Sequence, residues 1–170
     1  MTDAAGPDPE TGRPPARERR PGDGWVECAC GQRHWGLSGA AGLLLVRRDD
    51  AGRPVAVVLQ HRAVWSHHGG TWGLPGGARE PGETAEQAAV REAGEEADIG
   101  PDDVAVRWSS VLTHPDWSYT TVVADEVRAV EPHVADPESL EVRWVPVDDV
   151  TGLELLPAFA AAWPGLRARL

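Results

Sequence analysis

Three glutamates in the middle of the chain are the residues whose type and spacing most directly indicate chemistry. Glu92, Glu95 and Glu96 are spaced i, i+3 and i+4, which places them on one face of an α-helix. Carboxylates this close repel one another and weaken an isolated helix by roughly a few tenths of a kcal/mol per pair. A hard divalent cation with oxygen ligands would offset that repulsion. The bland alternative is a solvated acidic face, which is the commoner outcome for such a triplet taken alone.

The helix that carries these glutamates has a recognisable start. Thr84, with Gln87 three residues later, forms a capping box, and the spacing predicts a helix that begins at Thr84. A glycine-rich lead-in, WGLPGG over residues 72–77, precedes it. The helix and this lead-in are therefore the elements that must position the carboxylates.

The stretch from Gly77 to Ile99 resembles the Nudix box. That pattern is glycine, five residues, glutamate, seven residues, Arg-Glu, an apolar residue, any residue, Glu-Glu, any residue, glycine and an apolar residue. The chain fits it at Gly77, Glu83, Arg91, Glu92, Ala93, Glu95, Glu96 and Ile99. One position departs, because Asp98 stands where the box has a glycine that ends the helix in a left-handed conformation. Asp tolerates that conformation better than most residues, so we expect a slightly strained cap and an intact site.

The resemblance implies a fold and a reaction class. The fold would be α/β, the Nudix fold, an α/β/α sandwich with a mixed β-sheet between helices. The reaction would be hydrolysis of a nucleoside diphosphate linked to another group X, with Mg²⁺ or Mn²⁺ as cofactor and a small nucleotide as substrate. We expect a (d)NTP pyrophosphohydrolase of the house-cleaning type.

Two alternatives to that activity stay open. One is an ADP-ribose or NDP-sugar pyrophosphatase, since Pro115 stands where ADP-ribose-preferring members of the family carry proline. The other is a non-catalytic nucleotide-binding regulator. Such modules usually lack box glutamates, and every one is present here, so the sequence disfavours this alternative.

The resemblance also implies roles for individual residues. Glu92, Glu95 and Glu96 would bind metal, with Glu83 and the Gly76 carbonyl as further contributors. Either Glu92 or Glu96 would deprotonate the attacking water, and Arg91 would orient a carboxylate.

The general base varies within the family and can come from a loop outside the box. Glu138 and Glu141 are the candidates here, and the alternative for both is an ordinary solvated acid.

Three residues are candidates for substrate binding. Arg62 would end a strand and hold a phosphate, unless it is a plain surface arginine. Trp117 or Tyr119, in an aromatic loop between two predicted strands, would stack on the base. The alternative for both rings is core packing.

The segment Cys28-Ala-Cys30 with His34 resembles part of a zinc knuckle. A closed structural zinc site needs four ligands, and the chain has no further cysteine. Another histidine, an acid or a second subunit would have to complete the site. A turn with two reduced thiols is the favoured interpretation.

Composition and charge limit the remaining possibilities. Residues 1–24 are rich in proline, glycine and charge, which predicts a disordered tail. Residues 25–170 are expected to form one domain, with the Cys/His segment in its lead-in, 25–38, and the box at 77–99. The net charge of −11 argues against a nucleic-acid polymer as partner. No apolar run indicates a membrane span or signal peptide, so we expect a cytoplasmic protein and, from the family resemblance, a homodimer.

Hydrophobic patterning predicts the framework around the box. Strands are expected at 40–46, 55–60, 104–112, 118–130 and 140–147, with the first two forming a hairpin. A C-terminal helix is expected at 157–170, kinked or split at Pro164.

Overall fold

The structure is a computed structural model that describes residues 19–170. In chain order its strands are β1 (Trp25–Glu27), β2 (Arg33–Trp35), β3 (Ala40–Arg48), β4 (Pro54–Arg62), β5 (Trp72–Gly73), β6 (Gly76–Ala78), β7 (Val104–Thr113), β8 (Ser118–Glu126) and β9 (Ser139–Pro146). Its helices are α1 (Ala85–Ala97) and α2 (Pro157–Arg167), with 3₁₀ turns at Pro101–Asp103 and Val150–Gly152.

Strand β3 is the centre of a mixed sheet of seven strands. It pairs antiparallel with β4 and, at its start, with β6, and it pairs parallel with β8. β4 also pairs with β5 and β9, while β7 pairs with β8 at one edge. The predicted hairpin of β3 and β4 is confirmed, and the box helix lies between β6 and β7 in the chain.

The two faces of the sheet bury different sets of side chains. Leu43 and Leu45 of β3 point to the face covered by α1, where they meet the small residues Ala89 and Ala93. Leu44 and Val46 point to the opposite face, which is covered by α2 through Phe159, Trp163 and Leu166. This alternation places helices on both sides, so the predicted α/β/α sandwich is confirmed.

Two predicted elements end earlier than expected. β8 ends at Glu126 rather than at residue 130, because the chain turns back there and the Val130 N–H donates to the Glu126 carboxylate. The C-terminal helix ends at Arg167 and is not split at Pro164, since Trp163 and Leu166 on either side are buried in the core.

The beginning of the domain differs from the sequence expectation. Residues 1–18 of the predicted tail lie outside the described residues, but residues 19–24 contact the domain. The Leu37 N–H donates to the Gly22 carbonyl at 2.9 Å, and the Gly36 N–H donates to the Gly24 carbonyl at 2.7 Å. The described domain therefore includes residues 19–24, upstream of the start expected at Trp25. Within residues 19–170, no helix is long and apolar enough to cross a membrane.

Candidate active site

The glutamates of α1 lie where the helix faces the start of β3 and β6. Thr84 caps the helix as predicted, with its hydroxyl accepting the Gln87 N–H and the Gln87 side chain accepting the Thr84 N–H. Glu92 and Glu96 are buried, while the side chain of Glu95 is 27 % exposed. The helix therefore presents two buried carboxylates and one that is partly open to solvent.

The glycine-rich lead-in gives these carboxylates their room. Gly76 donates its N–H to Glu96 Oε2 at 2.8 Å. A Cβ on Gly77 would lie 2.8 Å from Glu92 Cδ, so a side chain there would displace the carboxylate. Gly77 is thus required by the close approach of β6 to α1, and Gly76 by the close approach of β6 to β3, since a Cβ there would lie 2.4 Å from the Ala41 carbonyl oxygen.

Arg91 joins two of the box glutamates. Its guanidinium donates to both oxygens of Glu83, at 2.8 and 2.9 Å, and to Glu92 Oε1 at 2.6 Å. It also donates to the Ala78 carbonyl at 3.0 Å. This network lowers the pKa of Glu83 through the Arg91 hydrogen bonds and raises the pKa of Arg91 itself. The orienting role expected of Arg91 is consistent with this geometry.

Burial dominates the electrostatics of the other two carboxylates. It raises the pKa of Glu92, although hydrogen bonds from Arg91 oppose the shift. It raises the pKa of Glu96 further, with the negative charges of Glu92 and Asp136 adding to the effect and the Gly76 N–H opposing it. Burial therefore disfavours the ionised forms of both carboxylates, and a bound cation at this face would stabilise them.

A second acidic group comes from the loop before β9. Carboxylate oxygens of Glu96, Asp136 and Glu138 all lie within 4.8 Å of one another. The loop is held against the end of α1 because the Ala135 N–H donates to the Glu96 carbonyl at 3.1 Å. Glu138, one of the two predicted alternative bases, is thus brought to the site. Glu141 is not part of this group and instead pairs with Arg143 on the surface at 3.0 Å.

Asp136 was missed by the sequence reasoning. Its Oδ1 accepts the Glu138 N–H at 3.1 Å and the Ser139 hydroxyl at 3.2 Å. The only available signal was an acid in the segment before β9, and nothing local ties that segment to a helix some forty residues earlier.

Tyr119 lies near both Arg62 and the Glu96 carboxylate. Arg62 ends β4, as predicted, and its Nε donates to the His67 carbonyl at 3.2 Å. The Tyr119 hydroxyl lies against Gly42, where an added Cβ would be only 2.1 Å away. Burial raises the pKa of this phenol, the Arg62 charge opposes the shift, and the Glu96 charge adds to it. The Tyr119 hydroxyl on β8 is therefore within electrostatic reach of both Arg62 and Glu96.

Trp117 lies farther out, against the β1–β2 hairpin. Its ring stacks on His34, with centroids 4.4 Å apart and planes 10° from parallel. Its Nε1 donates to the Trp35 carbonyl at 3.1 Å. One ring face is covered by His34, so stacking on a base, which stays a prediction, would have to use the other face.

Arg20 reaches the site from the segment before β1. Its Nη2 donates to Glu95 Oε1 at 2.7 Å, and its Nη1 lies 3.9 Å from Glu80. No pattern in the sequence around Arg20 indicated a contact with α1. It holds the most exposed glutamate of the triplet.

Comparisons with known proteins agree with this geometry. The family model described as "NUDIX domain" matches residues 37–167. A curated protein of Bifidobacterium longum, "Nucleoside triphosphate pyrophosphatase/Nudix hydrolase fusion protein", is 53% identical over 89% of this chain, which spans about a third (32%) of that longer protein. "Putative 8-oxo-dGTP diphosphatase 3" of Mycobacterium tuberculosis is 50% identical over 91% of this chain and 74% of its own length.

Solved structures give the same picture. The crystal structure of RenU, a Nudix hydrolase from M. smegmatis, aligns with a TM-score of 0.78 at 48% identity, covering 86% of this chain and 94% of that one. A C. elegans Ap4A hydrolase aligns with a TM-score of 0.61 at 23% identity, over 76% of this chain and 96% of its own. At this identity the similarity is evidence for the fold only.

Proposed function

The chain belongs to the Nudix family of hydrolases, enzymes that act on pyrophosphate linkages, and from this premise we propose that it is a metal-dependent (d)NTP pyrophosphohydrolase of the house-cleaning type. The observation that carries the proposal is the carboxylate face of α1, where burial raises the pKa of both Glu92 and Glu96. Such a face favours a cationic ligand over an uncharged one.

The substrate class is supported by the relatives that the chain resembles. The M. tuberculosis relative is named for 8-oxo-dGTP, and the B. longum relative joins a nucleoside triphosphate pyrophosphatase to a Nudix hydrolase. The M. tuberculosis name points to a nucleoside triphosphate and therefore favours this class over ADP-ribose or an NDP-sugar, whereas the triphosphate part of the B. longum name describes a fusion of which this chain spans only 32%. The activity of the whole fusion protein is not transferred, because this chain spans only its Nudix part.

The carboxylates of the site offer the oxygen donors of a hard divalent cation, and those of Glu96, Asp136 and Glu138 lie within 4.8 Å of one another. Oxygen ligands from several carboxylates suit Mg²⁺ or Mn²⁺. We assign Glu92, Glu95 and Glu96 as the metal-binding residues, with the Gly76 carbonyl as a further ligand. Glu83 has both oxygens on Arg91, so we assign it a positioning role instead. When bound, the cations supply positive charge for the phosphate oxygens and lower the pKa of water.

The side chains of this protein then accept the proton of the attacking water and bind the substrate. Water attacks a phosphorus of the pyrophosphate, the bridging P–O bond breaks, and a carboxylate takes the proton of the water. Glu96 and Glu138, whose carboxylates lie within 4.8 Å of each other, are the candidates for that acceptor, whereas the Glu92 carboxylate already accepts a hydrogen bond from Arg91. Arg62 holds a phosphate oxygen, and the Tyr119 and Trp117 side of the site receives the nucleoside.

A turnover screen tests this function. Purified protein is assayed with Mg²⁺ and Mn²⁺ on 8-oxo-dGTP, normal dNTPs, ADP-ribose, sugar nucleotides and dinucleoside polyphosphates, and the products are identified. We expect the highest kcat/KM on a (d)NTP. We expect Glu96→Gln to lower kcat by at least about 100-fold without unfolding the protein, because it removes a buried site charge while keeping the side-chain shape.

Glu141→Gln is the matched control, since it makes the same change at an acid on the surface outside the cluster. It should keep near-wild-type kcat. Glu138→Gln separates the two candidate bases: a large loss assigns the proton to Glu138, whereas a small loss assigns it to Glu96. A preference for ADP-ribose or an NDP-sugar would contradict the substrate class, and binding without turnover of any nucleotide would indicate the regulator. Light scattering on the same sample tests the expected homodimer.

A further inference from the structure

The β1–β2 hairpin gathers two thiols and an imidazole outside the proposed active site. The Sγ atoms of Cys28 and Cys30 and a ring nitrogen of His34 all lie within 4.8 Å of one another. Cys30 Sγ is 3.3 Å from His34 Nε2, and both cysteines are free. In a tetrahedral zinc site, a sulfur and a nitrogen ligand would be about 3.6 Å apart, so Cys30 and His34 are within a few tenths of an ångström of that separation.

The backbone of the turn holds this arrangement. The Cys28 N–H donates to the Gln32 carbonyl at 3.0 Å, and the Gly31 N–H donates to the Cys28 carbonyl at 2.9 Å. Gly31 has φ of 84°, a left-handed conformation that glycine adopts without strain. The turn therefore brings Cys28 and Cys30 to one side, and β2 presents His34 next to them.

The His34 ring is oriented by its neighbours. It stacks on Trp117 and lies 4.3 Å from the His114 ring, centroid to centroid. Both neighbours come from the loop between β7 and β8, eighty or more residues away in sequence. A ring held in this way turns Nε2 to the thiols without further ordering, which favours binding.

The same loop also reaches the turn itself. Asp116 Oδ2 accepts the N–H of Ala29, the residue between the two cysteines, at 2.7 Å. Asp116 lies outside the group of donor atoms that are within 4.8 Å of one another, so its carboxylate would have to move toward the thiols to become the fourth ligand. The β7–β8 loop therefore carries a candidate for the fourth donor that the sequence could not identify.

We propose that Cys28, Cys30 and His34, with Asp116, bind a structural Zn²⁺ ion that clamps the β1–β2 hairpin to the β7–β8 loop. The two metal sites differ in chemistry, because thiolates and imidazole select zinc whereas the carboxylates of α1 suit Mg²⁺ or Mn²⁺. The loop leads directly into Tyr119, whose hydroxyl lies beside the acidic site. The clamp therefore stabilises one wall of that site from outside.

Metal analysis tests the proposal. Full-length protein, dialysed against metal-free buffer, is analysed for zinc by mass spectrometry. We expect about one zinc ion per chain in the wild type and in Glu96→Gln, and at least about a tenfold loss in Cys30→Ser and His34→Ala. His133→Ala is the matched control, since His133 is an exposed histidine outside the cluster, and it should keep its zinc. Zinc that is absent from the wild type, or that follows Glu96 instead of Cys30, would overturn the proposal.

Cobalt replacement guards against a variant that merely misfolds. Cys30 is exposed, so serine is tolerated there better than at the buried Cys28, and circular dichroism checks the fold. Cobalt added to the metal-free wild type should give a thiolate-to-cobalt charge-transfer band that is missing from folded Cys30→Ser. Identical spectra for the two proteins would rule out the site. Neither readout depends on turnover, so the zinc site and the proposed function can fail separately.

Discussion

The Glu92 carboxylate occupies a space that exists only because residue 77 has no side chain. Arg91 Nη1 holds one of its oxygens at 2.6 Å, and a Cβ at position 77 would approach its Cδ to 2.8 Å. Because the crowded atoms are the far end of a flexible side chain, a methyl group would move the carboxylate rather than the backbone. The position of Glu92 therefore depends on Gly77 as much as on Arg91.

We expect Gly77→Ala to lower kcat by about 10- to 100-fold while the protein stays folded, because a misplaced site group costs rate even when the fold survives. Steady-state kinetics and a thermal melt measure the two effects. Gly94→Ala is the matched control on α1, since its Cβ would meet nothing closer than the Ile99 carbonyl at 3.5 Å. It should keep full activity and gain about 0.5–1 kcal/mol in the free energy of unfolding. Equal activity for the two variants would contradict the role of Gly77.

The site residues that could be predicted are those whose positions follow from local spacing. Glu92, Glu95 and Glu96 share a helix face by periodicity, and the Arg91 contacts stay within or next to the same motif. Asp136 and Arg20 reach α1 through the tertiary fold, from segments whose own sequence carries no positional signal. Trp117 shows the same limit, because the ring that covers it, His34, belongs to a hairpin far earlier in the chain.

Helix α1 ends on a residue that is not the best for its conformation. Asp98 has φ of 56° and ψ of 38°, and its N–H donates to the Ala93 carbonyl, as a left-handed cap requires. The strained cap expected from the sequence is confirmed. The residue tolerates this conformation, but glycine has no Cβ to crowd there.

We expect Asp98→Gly to raise the free energy of unfolding by about 0.5–1 kcal/mol, measured by chemical denaturation. The exposed contact of Asp98 with His133, at 3.7 Å, contributes little that would be lost. Asp149→Gly is the matched control, because this exposed residue has φ of −92° and the same change there only adds freedom to the unfolded chain. A loss of stability at position 98 as large as at 149 would contradict the cap argument.

The main strands and both helices followed from hydrophobic runs, turn residues and caps. Periodicity could not predict where some of these elements end. β8 stops at Glu126 because that carboxylate binds both Arg47 and the Val130 N–H, and neither contact has a sequence signature. The short β1–β2 hairpin was likewise recognised only as a Cys/His segment, since three-residue strands are too short to show a period.

An ion pair joins β3 to the end of β8 and to the segment that follows it, which leads to the loop of Asp136 and Glu138. Arg47 donates to both oxygens of Glu126, each at 2.6 Å, and to the Val130 carbonyl at 3.1 Å. Its guanidinium also lies over the Trp144 ring of β9. β3, β8 and β9 thus meet at one arginine.

The stability of the whole domain should depend on pH through this contact. Hydrogen bonds from Arg47 lower the pKa of Glu126 below its ordinary value of 4.5. Because the folded pKa is the lower one, the stabilisation is present above pH about 4.5 and is lost as pH falls through the folded value. We expect Glu126→Gln to cost about 1–3 kcal/mol at pH 7 and progressively less in acid, measured by denaturation at several pH values.

Glu141→Gln serves as the control here as well, because its pair with Arg143 is half exposed and should contribute little at any pH. A cost for Glu126→Gln that stays constant into acid would show that the ionised carboxylate is not what stabilises the junction.

The Arg91 guanidinium, which donates to both Glu83 and Glu92, limits how these positions can vary during evolution. One guanidinium orients Glu83 and Glu92 together, so the two acids are not independent sites of variation. Once either acid is replaced by glutamine, Arg91 no longer orients the remaining one, so that acid contributes less to the rate. The rate penalties of Glu83→Gln and Glu92→Gln should therefore fall short of adding by about 0.5–3 kcal/mol in a double-mutant cycle. Such epistasis would make the first loss of a carboxylate costly and the second nearly neutral. Purely additive penalties would mean that Arg91 does not couple Glu83 to Glu92.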